Sequence, residues 1–486
     1  MNASRREFLR TASILSGSLG AAGVPFALNL ATLGAASAQT TGGYKAIVCL
    51  FLYGGNDSAN MVLPTESASW AAYNAVRNQA PDPIALRAAG VAPDAAAAAG
   101  SPAALGGVLP IVPNYTAFPV NNTRSFALHP SMGEAKTLFD AGRLAVIANA
   151  GPLVVPLTKT DYTTGSKPRP PKLFSHNDQQ STWQALAPEG ARVGWGGRLG
   201  DLLASRNSST LFTNISVSGN AVFMAGQSVF QYQVGNGGAV AIGGLSGNLF
   251  GSAAAASNLR SIITADNQHL FAKEHALITR RSIDAQAAFQ SAFSASTVAV
   301  PAQYTQPSTR ALANNNLATS LQTVARIIGA RAGLGSQRQV FFVSMGGFDT
   351  HDNENRSHAD LMARLSHALG YFDTTLGTLG VRDQVTLFTA SDFGRTFTSN
   401  GDGTDHGWGA HHLVVGGAVR GKEVYGRFPT VGINHDDEVG SGSFLPGVAV
   451  DQIGGTLGKW MEIGDTQLDT VFPNLRNFQR DLGFLG

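Results

Sequence analysis

Three stretches toward the C-terminal end of this 486-residue chain gather the residue types that bind metal ions. They read Gly346-Gly347-Phe348-Asp349-Thr350-His351, Ser391-Asp392-Phe393-Gly394-Arg395 and Asp405-His406-Gly407-Trp408-Gly409-Ala410-His411-His412. Six of the eleven histidines lie between His351 and His412. Each stretch adjoins a short apolar run, and carboxylates and imidazoles at strand ends are what an α/β protein uses to build a metal site.

Asp349 and His351 are two residues apart, so in extended backbone their side chains face the same way. That suits two metal ligands, or one ligand and the partner that orients it; Asp352 or Asn353 could instead cap a following helix. Asp392 closes an apolar run with Arg395 three residues on. Together they could bind a metal and hold an anionic oxygen, or form a structural ion pair. The adjacent His411 and His412 point opposite ways if extended, so one of them faces the site. His406 is the other imidazole candidate.

Two earlier blocks add to the set. Tyr53-Gly54-Gly55-Asn56-Asp57 repeats the order strand, Gly-Gly, one residue, Asp. It places Asp57 at a strand's carboxyl end as a metal ligand, or makes Asn56 and Asp57 a simple turn. Leu173-Phe174-Ser175-His176-Asn177-Asp178 offers Ser175 as a nucleophile whose pKa a metal could lower. With Asp178 three residues later, Ser175 is also a candidate helix cap. His129, His269, His275, His358, His367 and His435 read most simply as surface residues.

The elements that must position these groups alternate along the chain. Short apolar runs at 46–53, 144–148, 211–217, 340–344, 385–390 and 413–415 predict buried strands. Helical spacing covers 131–141, 195–204, parts of 258–293, 314–330 and 357–379. In the last of these, Leu361, Leu365, Ala368, Leu369, Phe372 and Leu376 share one face. Strands separated by helices predict an α/β fold with a mostly parallel central sheet flanked by helices. One elaborated domain is expected over 39–486, with Ala-, Pro- and Gly-rich insertions near 79–122 and 219–257.

Composition excludes several functions. The formal charge is +2 with no basic tract, which argues against a nucleic-acid surface. The one cysteine, Cys49, sits in an apolar run, so neither an intrachain disulfide nor a Cys-based zinc site can form. No Gly-x-Ser-x-Gly elbow, Rossmann fingerprint or P-loop lysine occurs in a suitable context, and a redox role lacks both a Cys cluster and a nucleotide motif. Residues 1–38 carry Ser4-Arg5-Arg6-Glu7-Phe8-Leu9-Arg10, an interrupted apolar stretch and Ala36-Ser37-Ala38, the pattern of a twin-arginine signal peptide cleaved before Gln39. The expected partner during export is the twin-arginine translocase, and the expected location periplasmic or secreted, in a bacterium. Glycines and Pro25 break the stretch, so no stable membrane anchor is expected. Cleavage removes three Arg and one Glu, leaving basic and acidic residues equal in number.

With the leader, the blocks at Gly54–Asp57, Ser175-His176, Gly346–His351, Ser391–Arg395 and Asp405–Trp408 resemble the exported bacterial domain-of-unknown-function 1501 family, over essentially the whole mature chain. That family is placed near the alkaline phosphatase and sulfatase superfamily. The resemblance implies an alkaline phosphatase-like sheet with a two-metal site at its carboxyl edge. Asp57 would bind one metal, and Asp349 and His351 the other; Asp392 would be a further ligand. Phe393 stands where an Asp-His pair would supply an imidazole, so His406, His411 or His412 would provide the last ligand. Ser175 stands loosely at the nucleophile's place, and Arg395 would steady the non-bridging oxygens. The implied activity is an exported metal-dependent hydrolase of phosphate or sulfate esters. The alternative is a non-catalytic relative acting in envelope binding or assembly. Zn²⁺ suits the mixed ligand set; Mn²⁺, Ca²⁺ or Mg²⁺ would need more oxygen ligands.

Overall fold

The computed structural model describes residues 43–245 and 247–486. The signal peptide expected at 1–38 therefore lies outside the described residues. In chain order the strands that matter are β1 (Lys45–Leu52), β2 (Leu144–Gly151), β3 (Asn214–Ser216), β4 (Tyr232–Gly235), β5 (Gly238–Ala239), β6 (Arg338–Met345), β7 (Val385–Ser391), β8 (Arg395–Ser399), β9 (Thr404–His406), β10 (Ala410–Gly416), β11 (Val424–Tyr425) and β12 (Val448–Ala449). The main helices are α1 (Ser67–Arg77), α2 (Gly133–Asp140), α3 (His176–Ala185), α4 (Trp195–Leu203), α5 (Leu270–Ala295), α6 (Asn316–Gly329), α7 (Glu354–Thr378) and α8 (Val450–Trp460).

Ten strands form the central sheet in the order β11-β2-β10-β7-β1-β6-β3-β4-β5, with β12 also pairing to β2. Strand β1 is its centre. It pairs in parallel with β6 and with β7, so that Leu52, Met345 and Ser391 end level with one another. Alternation decides which face each side chain joins. Ala46, Val48, Leu50 and Leu52 enter one core with α6 and α7, while Ile47, Cys49 and Phe51 enter the other with α4 and α8. Both faces are covered, which is why β1 reads as an unbroken apolar run. Each fully buried aliphatic or aromatic side chain contributes roughly 1.5–3 kcal/mol. Cys49 is buried within its core as a small apolar group, and burial pushes its thiol pKa well up.

The sheet is parallel around β1 but not throughout. Strand β10 runs antiparallel to both β7 and β2. The connection from β7 to β10 folds into the antiparallel β8–β9 hairpin and contains no crossover helix, so the chain must return in the opposite sense. The amino end of β10 consequently lies at the same edge as the carboxyl ends of β1, β6 and β7. The end of β9 that carries His406 thereby meets the loops carrying Asp57, Asp349 and Asp392.

Of the stretches expected as insertions, 79–122 adds Leu109–Ile111 to a small antiparallel sheet with Val62–Pro64 and Phe126–Leu128. The other, 219–257, adds β4 and β5 to the far edge of the central sheet. The strand expected at 211–217 is shorter, because Thr210–Phe212 forms a 3₁₀ turn before β3. Among the described residues, no helix is long and apolar enough to cross a membrane.

Candidate metal centre

The loops after β1, β6 and β7 pack against one another through glycine. Gly54 and Gly55 have φ of 117° and 84°. A Cβ on Gly54 would stand 2.3 Å from the backbone nitrogen of Asp349, and one on Gly55 would stand 2.4 Å from the Phe393 ring. Only glycine permits that approach. Ser391 Oγ ties the same loops together, donating to the Leu52 carbonyl at 2.7 Å and accepting from Asn56 N–H at 3.0 Å.

Four side chains meet above this junction. Ligating atoms of His176, Asp349 and His406 lie within 4.8 Å of one another. Asp349 Oδ2 is 3.3 Å from His176 Nε2, and Asp349 Oδ1 is 3.4 Å from His406 Nε2. His351 joins at the outer side, with its Nε2 3.1 Å from Asp349 Oδ1 and 3.0 Å from His406 Nε2. His176 and His406 are about a quarter exposed, whereas His351 is 44% exposed.

Each imidazole is oriented from behind by an oxygen. His176 Nδ1 bonds Asp392 Oδ2 at 2.7 Å, His406 Nδ1 bonds the Phe174 carbonyl at 2.8 Å and His351 Nδ1 bonds Asp405 Oδ1 at 3.1 Å. A carbonyl or an ionised carboxylate only accepts, so each Nδ1 carries a proton and each ring turns its Nε2 to the cluster. His176 Nε2 is buried and makes no hydrogen bond.

Asp392 is fully buried, and its Oδ2 accepts from Gln180 Nε2 at 2.8 Å and Gly54 N–H at 3.2 Å as well as from His176. It therefore supports an imidazole from behind, at one remove from the Asp349 carboxylate. Hydrogen bonding to Asp392 raises the His176 pKa, while burial lowers that of His406. Desolvation acts to raise the Asp349 carboxyl, but the bonded Arg395 guanidinium, with His176 and His351 nearby, outweighs it and holds the pKa below the ordinary value. Phe393 occupies the space between rings, with centroids 4.8 Å from His176 and 4.7 Å from His406. It forms an apolar wall where the sequence resemblance would have placed an imidazole.

The other sequence candidates lie elsewhere. Asp57 is buried in a bidentate ion pair with Arg77, whose Nη2 reaches Oδ1 at 2.9 Å. Arg77 also bonds the Phe397 and Thr396 carbonyls, so Asp57 anchors α1 to β8. Burial acts to raise the Asp57 pKa, but Arg77 overrides this and drives it well down; the neighbouring Glu354 carboxyl, buried beside Asp57, is pushed well up. His411 accepts from Asn149 N–H at 3.0 Å and stacks on Phe428 at 4.3 Å, on one face of β10. His412 lies on the other face, its Nδ1 3.4 Å from Thr389 Oγ1 and its ring 4.7 Å from Trp183. Both are fully buried, and desolvation lowers each to about 3. His129 and His358, read from sequence as surface residues, are buried as well. Ser175 Oγ donates to Asp178 Oδ2 at 2.9 Å, within its own helix start. Arg395 directs one Nη1 bond of 2.6 Å to Asp349, and its remaining donors go to the Gly54 carbonyl and to Thr404.

His176 is the residue the sequence reading passed over. It directly follows Ser175, the residue of its block whose type suggests a nucleophile. Its signal was its place at the first turn of α3, directly after a Pro-rich approach.

Likeness to solved structures is slight. The crystal structure of Ps i-CgsB in complex with k-i-k-neocarrahexaose is 8% identical, covering 90% of this chain and 78% of that chain at a TM-score of 0.33. The crystal structure of Ps i-CgsB is 10% identical, with 72% of each chain covered and a TM-score of 0.30. No curated protein matches the chain. Residues 44–446 match the family described as "Protein of unknown function (DUF1501)", and the chain belongs to that family.

Proposed function

We propose that this protein is a metal-dependent hydrolase of phosphate or sulfate esters, built on one divalent cation held by His176, Asp349 and His406 with His351 as the outer ligand. The observation that carries the reading is the set of three Nε2 atoms turned onto a single carboxylate. The Nε2 atoms of His351 and His406 stand 3.0 Å apart, a contact that a cation or a proton between them would favour. Tetrahedral zinc with ligands at about 2.0–2.1 Å has ligand atoms roughly 3.3–3.4 Å apart. The Asp349 contacts with the three imidazoles, at 3.1–3.4 Å, lie near that spacing, and ligand atoms of His176, Asp349 and His406 fall within 4.8 Å of one another. Three imidazoles and one carboxylate suit Zn²⁺ better than Mn²⁺, Ca²⁺ or Mg²⁺. Where the resemblance implied a second cation at Asp57, the Arg77 guanidinium already neutralises the carboxylate.

A bound cation would act as a Lewis acid on the ester and make water nucleophilic at neutral pH. The chain's own residues do the rest. Asp392, Asp405 and the Phe174 carbonyl fix the imidazole tautomers, and Arg395 keeps Asp349 ionised and aimed. Phe393 excludes water from one side. Ser175, committed to Asp178, leaves water as the nucleophile. The alkaline phosphatase-like relationship, export by the twin-arginine translocase and a periplasmic or secreted location belong to the same proposal. N-terminal sequencing of exported protein should begin at Gln39; an unprocessed, cytoplasmic chain contradicts the export reading.

One observation favours the alternative of a non-catalytic envelope protein. Arg395, expected to hold the ester oxygens, has its donors engaged by Gly54, Thr404 and Asp349. Turnover of aryl phosphates and aryl sulfates by zinc-loaded protein decides between them. The hydrolase reading predicts activity that falls by at least about a hundredfold in Asp349→Ala, since the cation is lost with its ligand. No turnover of either ester class, or turnover unchanged in Asp349→Ala, contradicts it.

A further inference from the structure

The segment after the short helix Lys159–Thr164 runs Gly165-Ser166-Lys167-Pro168-Arg169-Pro170-Pro171-Lys172-Leu173-Phe174 straight into Ser175 and His176. It borders a cleft of about 540 Å³ whose lining includes Tyr162, Lys167, Arg169, Lys172, Leu173 and Phe174. Three of these are cationic, and no acidic residue lines the cleft. Cleft and candidate centre share a wall, because the Phe174 carbonyl accepts a hydrogen bond from His406 Nδ1–H.

The wall is held in a demanding conformation. Lys172 and Phe174 have φ of 51° and 69°, the left-handed region that side-chain-bearing residues adopt at a cost. Gln179 Nε2 secures it by reaching the carbonyls of Pro171 and Lys172 at 3.3 and 3.4 Å. Lys167 and Lys172 lie 3.0 and 3.5 Å from Asp161 and Asp178, carboxylates that stand outside the lining. Arg169 bonds the Tyr162 carbonyl at 2.9 Å and lies over the Tyr162 ring at 5.0 Å. Among the described residues no carboxylate pairs with it.

We infer that this cleft seats a second oxyanion group, sulfate or phosphate, of the same molecule whose ester lies at the metal centre. The substrate class is then an ester carrying at least one further oxyanion, an inference that rests on the hydrolase reading. A guanidinium and two ammonium groups on a pre-shaped loop, with no acidic residue lining the cleft, are suited to such a group.

Calorimetric titration of metal-free mature protein tests the cleft by itself. The probes are sucrose octasulfate and inositol hexakisphosphate, with sucrose and inositol as uncharged controls. At least one polyanion should bind, and the tighter one names the group. Its affinity should fall at least about tenfold in the Lys167→Ala/Arg169→Ala/Lys172→Ala variant. It should be unchanged in Arg280→Ala/Arg281→Ala, which removes two exposed charges from α5. Zinc content of the triple variant should match the unaltered protein. If the triple variant does not fold, Arg169→Ala alone should still weaken binding by about threefold or more. No polyanion binding, or an equal loss in the α5 variant, overturns the inference. Because no metal is present in the titration, its failure is distinct from failure of the zinc-loaded turnover assay.

Discussion

Asp57 and Asp349 stand in nearly the same local sequence yet have different surroundings. Asp349 faces three imidazoles at the rim, whereas Asp57 is enclosed with Arg77. Asp57→Asn should therefore destabilise the fold, by about 3–5 kcal/mol for a guanidinium left buried without its partner, and leave metal content unchanged. Denaturant unfolding and elemental analysis of the same sample check both halves. Asp392→Asn is expected to do the reverse. Near-isosteric, it weakens the support behind His176 and should cost about 10–100-fold in zinc affinity with little change in stability. The Asp and His blocks were legible in the sequence as candidates. What could not be read was Arg77, twenty residues beyond Asp57, which turns a strand-end carboxylate into a structural one. Nor could the sequence show that His176, at the start of a helix, would be drawn to a carboxylate 216 residues away.

At the scale of elements, the strand ends and their glycines decide where ligands go. Gly54→Ala should be among the most damaging small changes. It forces a side chain onto φ of 117° and into the Asp349 backbone, with a strain cost of about 1–3 kcal/mol before any repacking. A lowered melting temperature together with weakened zinc binding is the expected pair of results; unchanged values for both contradict the described packing. Strands β1, β6 and β7 and helix α7 were legible because apolar periodicity reports burial directly. Two features were not. The direction of β10 depends on the β8–β9 hairpin that replaces a crossover helix, and apolar pattern does not encode strand direction. His411 and His412 alternate across β10 as expected for a strand, but both faces of that strand are covered, so neither reaches the rim.

At the scale of the whole molecule, four neutral imidazoles buried away from the rim make the fold sensitive to acid. Burial lowers His129 well below its ordinary value, His358 to about 4, and His411 and His412 to about 3. The unfolded chain protonates these rings near pH 6.5 and the folded chain does not. Their contribution is thus fully present above about pH 6.5 and declines as pH falls from there toward the folded values, by up to about 1.4 kcal/mol per pH unit for each ring. Urea unfolding at pH 7.5, 6.5 and 5.5 in chelator should show the steepest loss in the lowest interval; a flat profile contradicts it. The same fold brings the rim together from three separate parts of the chain, at His176, at Asp349 and His351, and at His406. Elemental analysis of purified, zinc-reconstituted protein tests most directly what the rim holds. Close to one zinc per chain is expected, lost in His176→Ala and in Asp349→Ala and retained in His412→Ala. A chain that takes up no metal, or that keeps it without His176 and Asp349, has no metal centre at this rim.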